Sequence, residues 1–130
     1  MVTGAARSGN ARPAVGKRAE DATAQHLSLD GWEIVGRNIR VGPLELDVLA
    51  RKGDVLAVVE VRFRGPGSWL GALDSVDGRK RERLRTAARR IWDERFARDE
   101  SLRVLRFDVA VVDFDPMGRA HVEHVEGAFQ

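Results

Sequence analysis

Apolar positions recur along the 130-residue chain with two different periods. Leu44-Glu45-Leu46-Asp47-Val48-Leu49-Ala50 and Val55-Leu56-Ala57-Val58-Val59-Glu60-Val61-Arg62-Phe63 are Val- and Leu-rich runs joined by the polar Arg51-Lys52-Gly53-Asp54, the pattern of a β-hairpin. An earlier strand opens at Trp32-Glu33-Ile34-Val35 and continues through Arg37-Asn38-Ile39-Arg40 to a turn at Val41-Gly42-Pro43. Leu102 to Val112 predicts an apolar strand, Asp113 to Gly118 a turn, and Ala120 to Val125 an edge strand. Helical spacing appears twice. Pro13 to Leu29 carries Ala19, Ala22, His26 and Leu29 in one stripe, with Pro13 in the first turn and Gly31 as the stop. Arg79 to Ala97 carries Leu84, Ala87, Ala88, Ile91 and Trp92. The order helix, strand, hairpin, helix, strand, strand predicts an α/β fold with a central mixed β-sheet flanked by helices. One domain is expected over residues 13–126, after a disordered basic arm (1–12) and before a loose tail (127–130).

Polar residues inside the hairpin change the picture. Alternation places Glu45, Asp47 and Leu49 on one face of the first strand, and Glu60 and Arg62 with Leu56 and Val58 on one face of the second. A four-residue loop pairing Ala50 with Val55 sets Asp47 opposite Val58 and Glu45 opposite Glu60, so Glu45, Asp47, Glu60 and Arg62 converge. A slip of one residue would send Asp47 and Glu60 to opposite faces. Two carboxylates about 4 Å apart repel by about 4 kcal/mol at an effective dielectric near 20. A favourable cross-strand pair returns only about 0.2–1 kcal/mol. Positive charge must therefore sit between them, either a divalent cation with its preference for oxygen ligands or Arg62 and a second base.

Lys80 is the candidate second base. It lies one turn before Leu84 on the core-facing stripe, in the first turn of its helix, where the dipole gives a cation nothing. The hairpin carboxylates or a substrate phosphate would be its partner. Glu20 borders the buried stripe of the first helix, within reach of the same site; alternatively it completes an exposed helix face.

Lys and Arg number 22 against 20 Asp and Glu, a small excess that is unevenly spread. Met1 to Arg18 has no acid, Arg79 to Arg95 is dense in Arg, and Asp108 to Gln130 is acidic. Arg79, Arg83, Arg85, Arg89 and Arg90 fall mostly outside the apolar stripe and are the candidate contacts to a nucleic-acid backbone. The plainer alternative is a solvated face paired with Glu82, Asp93 and Glu94. The loop Arg64-Gly65-Pro66-Gly67-Ser68, followed by Trp69, adjoins the hairpin site. Absence of Cys excludes a disulfide scaffold and thiolate metal sites and fits a reducing cytoplasm. No apolar run reaches the length of a membrane span, so no membrane role is expected.

Asp47, a spacer crossing a hairpin turn, and then Glu60-Val61-Arg62 resemble the D…(D/E)-x-K signature of the restriction-endonuclease-like superfamily. More closely, several blocks are similar, in order, to those of the small bacterial YraN-like proteins, a family of predicted nucleases. They are Gly16…Glu20, Arg37-Asn38-Ile39-Arg40, Leu44-Glu45-Leu46-Asp47, Val59-Glu60-Val61-Arg62, Lys80 with Arg81 and Leu84, and Arg106-Phe107-Asp108. The resemblance runs from about Val15 to Val112. It implies a restriction-endonuclease-like fold and phosphodiester hydrolysis with Mg²⁺ (or Mn²⁺) held by Asp47 and Glu60, assisted by Glu20 or Glu45. Many nucleases of this fold act as dimers, which makes a homodimer one expected assembly.

Leu44 and Ala19 stand where the family usually has Gly, and Arg62 stands where it has Lys. That Lys is thought to orient or deprotonate the attacking water and to neutralise the transition state. Arg keeps the charge and the hydrogen bonds, but a guanidinium is no base near neutral pH. The expected function is thus a metal-dependent endonuclease acting on nucleic acid, foremost DNA, in the cytoplasm, with Asp47, Glu60, Arg62 and Lys80 at its centre. Its alternatives are a nucleic-acid-binding module that lost hydrolysis through Arg62, and an interaction protein whose acids are neutralised by Arg62 and Lys80.

Overall fold

A computed structural model describes residues 11–64 and 76–130. Helix α1 spans Ala11–Leu29, β1 Glu33–Val41, β2 Leu44–Lys52, β3 Val55–Phe63, α2 Gly78–Ile91, β4 Val104–Phe114 and β5 Ala120–Phe129. A π-helical turn, Trp92–Phe96, extends α2. Of the expected basic arm, only Ala11 and Arg12 fall among the described residues, and both belong to α1. The glycine-rich loop after Arg64 and Trp69 lie outside the described residues.

The five strands stand in chain order in one sheet. β1, β2 and β3 are antiparallel neighbours, β3 and β4 run parallel, and β5 returns antiparallel along β4. The parallel step needs a crossover, and α2 lies within it. α1 crosses all five strands, and Leu27, Trp32, Val48, Ala50, Ala57, Val59 and Ala110 form one core. The apolar stripe of α2, Leu84, Ala87, Ala88 and Ile91, packs with Leu49, Leu56, Val58, Phe107, Val109 and Val111 in a second core. Each fully buried Leu or Val there contributes about 1.5–3 kcal/mol relative to exposure. Asp77 caps α2 by accepting a hydrogen bond from the Lys80 amide at 3.0 Å, which fixes where the first turn points.

Three local expectations are corrected. The hairpin loop has two residues, because Lys52 pairs with Val55 and only Gly53 and Asp54 turn the chain. Gly53 has φ +60, the conformation a tight hairpin demands at its first central residue and glycine meets at no steric cost. The register is offset by two residues from the expected one, with Leu49 opposite Val58. An even offset keeps the parity that matters, but it moves Glu45 away from Glu60, and Glu45 is exposed beside Arg40.

Alternation in β2 also breaks: Leu44, Leu46 and Leu49 belong with the α2-side core, whereas Val48 belongs with the other. The break lies at Asp47, opposite Asn38, whose φ of 51 is the one positive value on a described non-glycine residue. Finally, residues 127–129 are strand and not loose tail: Phe129 is buried, its ring stacked 5.1 Å from that of Phe107. A register shift between Phe107 and Val109, with Gly127 at φ +61, accommodates the extra β5 residues as a bulge.

Candidate metal and phosphate site

The β2–β3 ladder ends at Val48 and Val59, so Asp47 and Glu60 are the next residues on two strands that part there. The Val61 amide, beyond the end of the β2–β3 ladder, donates to Asp47 Oδ2 at 2.9 Å. This bond draws the carboxylate into the gap.

Glu60 is only 4% exposed. One of its oxygens, Oε2, receives both cations, Arg62 Nη2 at 3.0 Å and Lys80 Nζ at 3.4 Å. The other, Oε1, is buried with no hydrogen-bond partner, and so is Arg62 Nε. An unpaired buried carboxylate oxygen costs on the order of 1–3 kcal/mol or more. Burial, reinforced by the charge of Glu60, pushes the Asp47 carboxyl up to about 7; the Val61 amide, Lys80 and Arg62 oppose that rise. The Asp47 carboxyl thus stays raised even with both cations in place.

Lys80 therefore meets the partner its position demanded, and Asp47, Glu60, Arg62 and Lys80 come together. Glu20 stands at the rim, where its Oε1 accepts from Asn38 Nδ2 at 3.0 Å. Burial and then the charge of Asp47 raise its pKa, with Glu45 adding to the rise and Arg37 opposing it. Sequence reasoning missed Asn38 as the residue that holds Glu20. Its tolerance for the left-handed region, inside the Arg37-Asn38-Ile39-Arg40 block, was the available signal. An open cleft of about 560 Å³, lined by Gly16, Lys17, Glu20, Arg37 and Asn38, flanks this rim.

Among the described residues no three His, Asp or Glu side chains stand at metal-ligand spacing. The donor set nevertheless fits Mg²⁺ or Mn²⁺: two carboxylates, one with an orphaned oxygen, are hard ligands. Mg²⁺ characteristically takes one or two carboxylates and fills its remaining positions with water and phosphate oxygens.

On α2, Arg79, Arg83 and Arg89 are exposed and form no ion pair among the described residues. Arg85 pairs with Glu82 at 2.9 Å and reaches the Gln130 carbonyl, and Arg90 pairs with Glu94 at 3.2 Å. The five arginines therefore divide between the two readings, three open and two internally engaged.

A second buried carboxylate, Asp108, lies on the α1 face of the sheet. Arg106 grips it through two bonds of 2.8 and 2.9 Å, His124 Nε2 lies 2.6 Å away, and the Gly127 amide donates at 2.9 Å. Every Asp108 oxygen is satisfied, the opposite of Glu60.

Fold and site define a class, an α/β protein with a five-stranded mixed sheet, consistent with a restriction-endonuclease-like fold, in which β2 and β3 part to set a half-buried Asp47 beside a buried Glu60. The chain belongs to the family described as "Uncharacterised protein family UPF0102", which matches residues 19–112. That membership agrees with the resemblance to YraN-like proteins, and the matched stretch holds Glu20, Asp47, Glu60, Arg62 and Lys80. The chain is 53% identical over 120 residues to a UPF0102 protein of Sorangium cellulosum, covering 92% of this chain and 83% of that protein. It is 40% identical to one of Parafrankia, covering 88% and 95%, and 40% identical to one of Pelotomaculum thermopropionicum, covering 92% and 98%. No helix among the described residues is long and apolar enough to cross a membrane.

Proposed function

We propose that the protein is a metal-dependent endonuclease hydrolysing phosphodiester bonds of nucleic acid, foremost DNA, in the cytoplasm. The observation that carries this reading is the buried Glu60, with one oxygen orphaned, beside an Asp47 whose carboxyl is pushed up to about 7. Stability alone does not favour such an arrangement; a cation and an anionic substrate do.

Asp47 and Glu60 would hold Mg²⁺ or Mn²⁺, which when bound supplies Lewis-acid polarisation of a phosphoryl oxygen and lowers the pKa of water. The side chains do the rest. Arg62, always protonated, donates hydrogen bonds to phosphoryl oxygens and counters their growing negative charge; it abstracts no proton. Lys80, on the opposite wall of the same carboxylate, adds a second cation. Burial beside Glu60 holds the Asp47 carboxyl up at about 7, so Asp47 would give up a proton on taking a cation. Arg79, Arg83 and Arg89 extend the positive surface along α2 and would follow the phosphate backbone. Cutting both strands of a duplex takes two such sites, which a homodimer would bring together.

The test is cleavage of labelled single-stranded, duplex, flap and four-way-junction DNA with Mg²⁺, Mn²⁺ or chelator, comparing native protein with Asp47→Ala. Metal-dependent cutting that disappears in the variant supports the reading. Salt-sensitive binding without cutting under every condition overturns hydrolysis and leaves the binding module. One observation favours that second reading: the Lys position of the superfamily signature holds Arg62, which is tied to Glu60.

A further inference from the structure

Between the β1–β2 turn and α2 lies a cavity of about 530 Å³. Its walls are Val41, Pro43, Leu44 and Ala87, and Arg83 and Arg90 stand among the polar residues at its edge. We infer that this cavity receives an unpaired nucleobase of the strand being cut, making the substrate a nucleic acid with a single-stranded stretch. The inference rests on the nuclease reading and deepens it.

Three features select this occupant. The first is shape: Gly42, at φ +61, carries no side chain, and a Cβ there would come to 3.8 Å from Arg90 Nη1. That is ordinary van der Waals contact, so the glycine answers the backbone conformation of the turn and leaves this part of the cavity edge without a side chain. The second is charge. The lining holds two arginines, Arg83 without an ion pair among the described residues and Arg90 paired with Glu94, and one acid, Glu82, whose carboxylate is engaged by Arg85. The mouth is positive over an apolar floor, which suits a base with its flanking phosphates better than an aliphatic or acidic peptide side chain.

The third is place. Arg83 follows Lys80 by one helical turn, about 4.5 Å along the axis, and Leu44 precedes Asp47 by about 10 Å of strand. A base held there belongs to a nucleotide neighbouring the phosphate at Glu60. Bases in a duplex are stacked and paired with their edges turned inward, so only an unpaired or extruded base enters a pocket.

The test measures binding in chelator, by fluorescence anisotropy, of three 15-nucleotide probes of matched sequence: a DNA strand, its duplex and the same strand made abasic. Native protein is expected to bind the strand at least about tenfold more tightly than the abasic strand, the factor that about 1.4 kcal/mol of base contact represents. Thr86 also lines the cavity from an exposed position on α2, and Thr86→Leu narrows it without altering charge. It should bring that ratio towards one while abasic binding stays unchanged. Arg83→Ala should weaken all three probes. Equal binding of the strand and its abasic form, or a ratio that Thr86→Leu leaves intact, overturns the inference and assigns the cavity to another occupant, such as a partner's side chain. The nuclease reading is judged separately, by Asp47-dependent cleavage. Cutting without base preference sinks this inference alone, and base-dependent binding without cutting sinks hydrolysis alone.

Discussion

Replacing Asp47 by Asn should stabilise the metal-free protein, and only above acidic pH. The folded carboxyl titrates at about 7 against an ordinary value of 3.8. At 1.36 kcal/mol per pH unit this difference is worth about 4 kcal/mol, and sharing of the repulsion with Glu60 reduces the part that one substitution recovers to about 2–4 kcal/mol. Because the folded value is the higher, the folded chain holds its proton where the unfolded chain has lost it. Stability is therefore full below pH 3.8, falls as pH rises, and levels off above about 7. Asn mimics the protonated group at every pH and its oxygen still accepts from the Val61 amide.

In chelator, thermal denaturation should show no difference at pH 3.5 and a Tm raised by roughly 10 °C in Asp47→Asn at pH 8. Mg²⁺ should then reverse the order of gains. Native protein gains about 2.7 kcal/mol at a hundredfold excess over the dissociation constant, and the variant gains little. A variant that is no more stable at pH 8, or whose gain is the same at both pH values, would refute the argument that this carboxylate is held against its own repulsion.

Lys80→Met removes one of two cations from buried Glu60. Cleavage should fall about a hundredfold and stability by about 1–2 kcal/mol, a figure reduced because the Lys80 side chain is 28% exposed; unchanged turnover would take Lys80 out of the site. Arg62→Lys should raise the metal-dependent cleavage rate at pH 8, since Lys retains the charge and is able to titrate; a rate equal to native or lower acquits Arg62. Asp108→Asn should cost about 2–4 kcal/mol at pH 7 in urea denaturation, because it weakens the grip of Arg106 and His124 on a fully buried group. Burial raises the Asp108 pKa, but bonds from His124, Arg106 and the Gly127 amide outweigh it and hold the group below the ordinary 3.8. Its stabilisation is thus lost as pH falls below that value, and the deficit of the variant should shrink there. Gly53→Ala should cost about 1 kcal/mol or more, read as a lower urea midpoint, because φ +60 strains a Cβ although the space around it is open.

The hydrophobic pattern carried the element types and their order, since period two and period 3.6 report which face of a strand or helix is buried and do so locally. It also carried the convergence of Asp47 with Glu60 and the inward aim of Lys80, because both depend on parity and helical phase, which survive an even offset in register. The resemblance added the family and drew attention to the block that contains Asn38.

Register and partner choice were another matter. Whether the turn had four residues or two was settled by pairing along the whole hairpin, and the result took Glu45 away from Glu60. The break in alternation at Asn38 and Asp47 lies where β2 and β3 part, which no window of a few residues contains. Ala128 and Phe129 became strand because Phe107, more than twenty positions earlier, offered an aromatic face. Asp108 found His124 and Gly127 for the same reason: a buried carboxylate takes whatever donors the neighbouring strand brings within reach. Periodicity is a property of a segment, whereas pairing is a competition among segments, and the orphaned oxygen of Glu60 became visible only when that competition had been resolved.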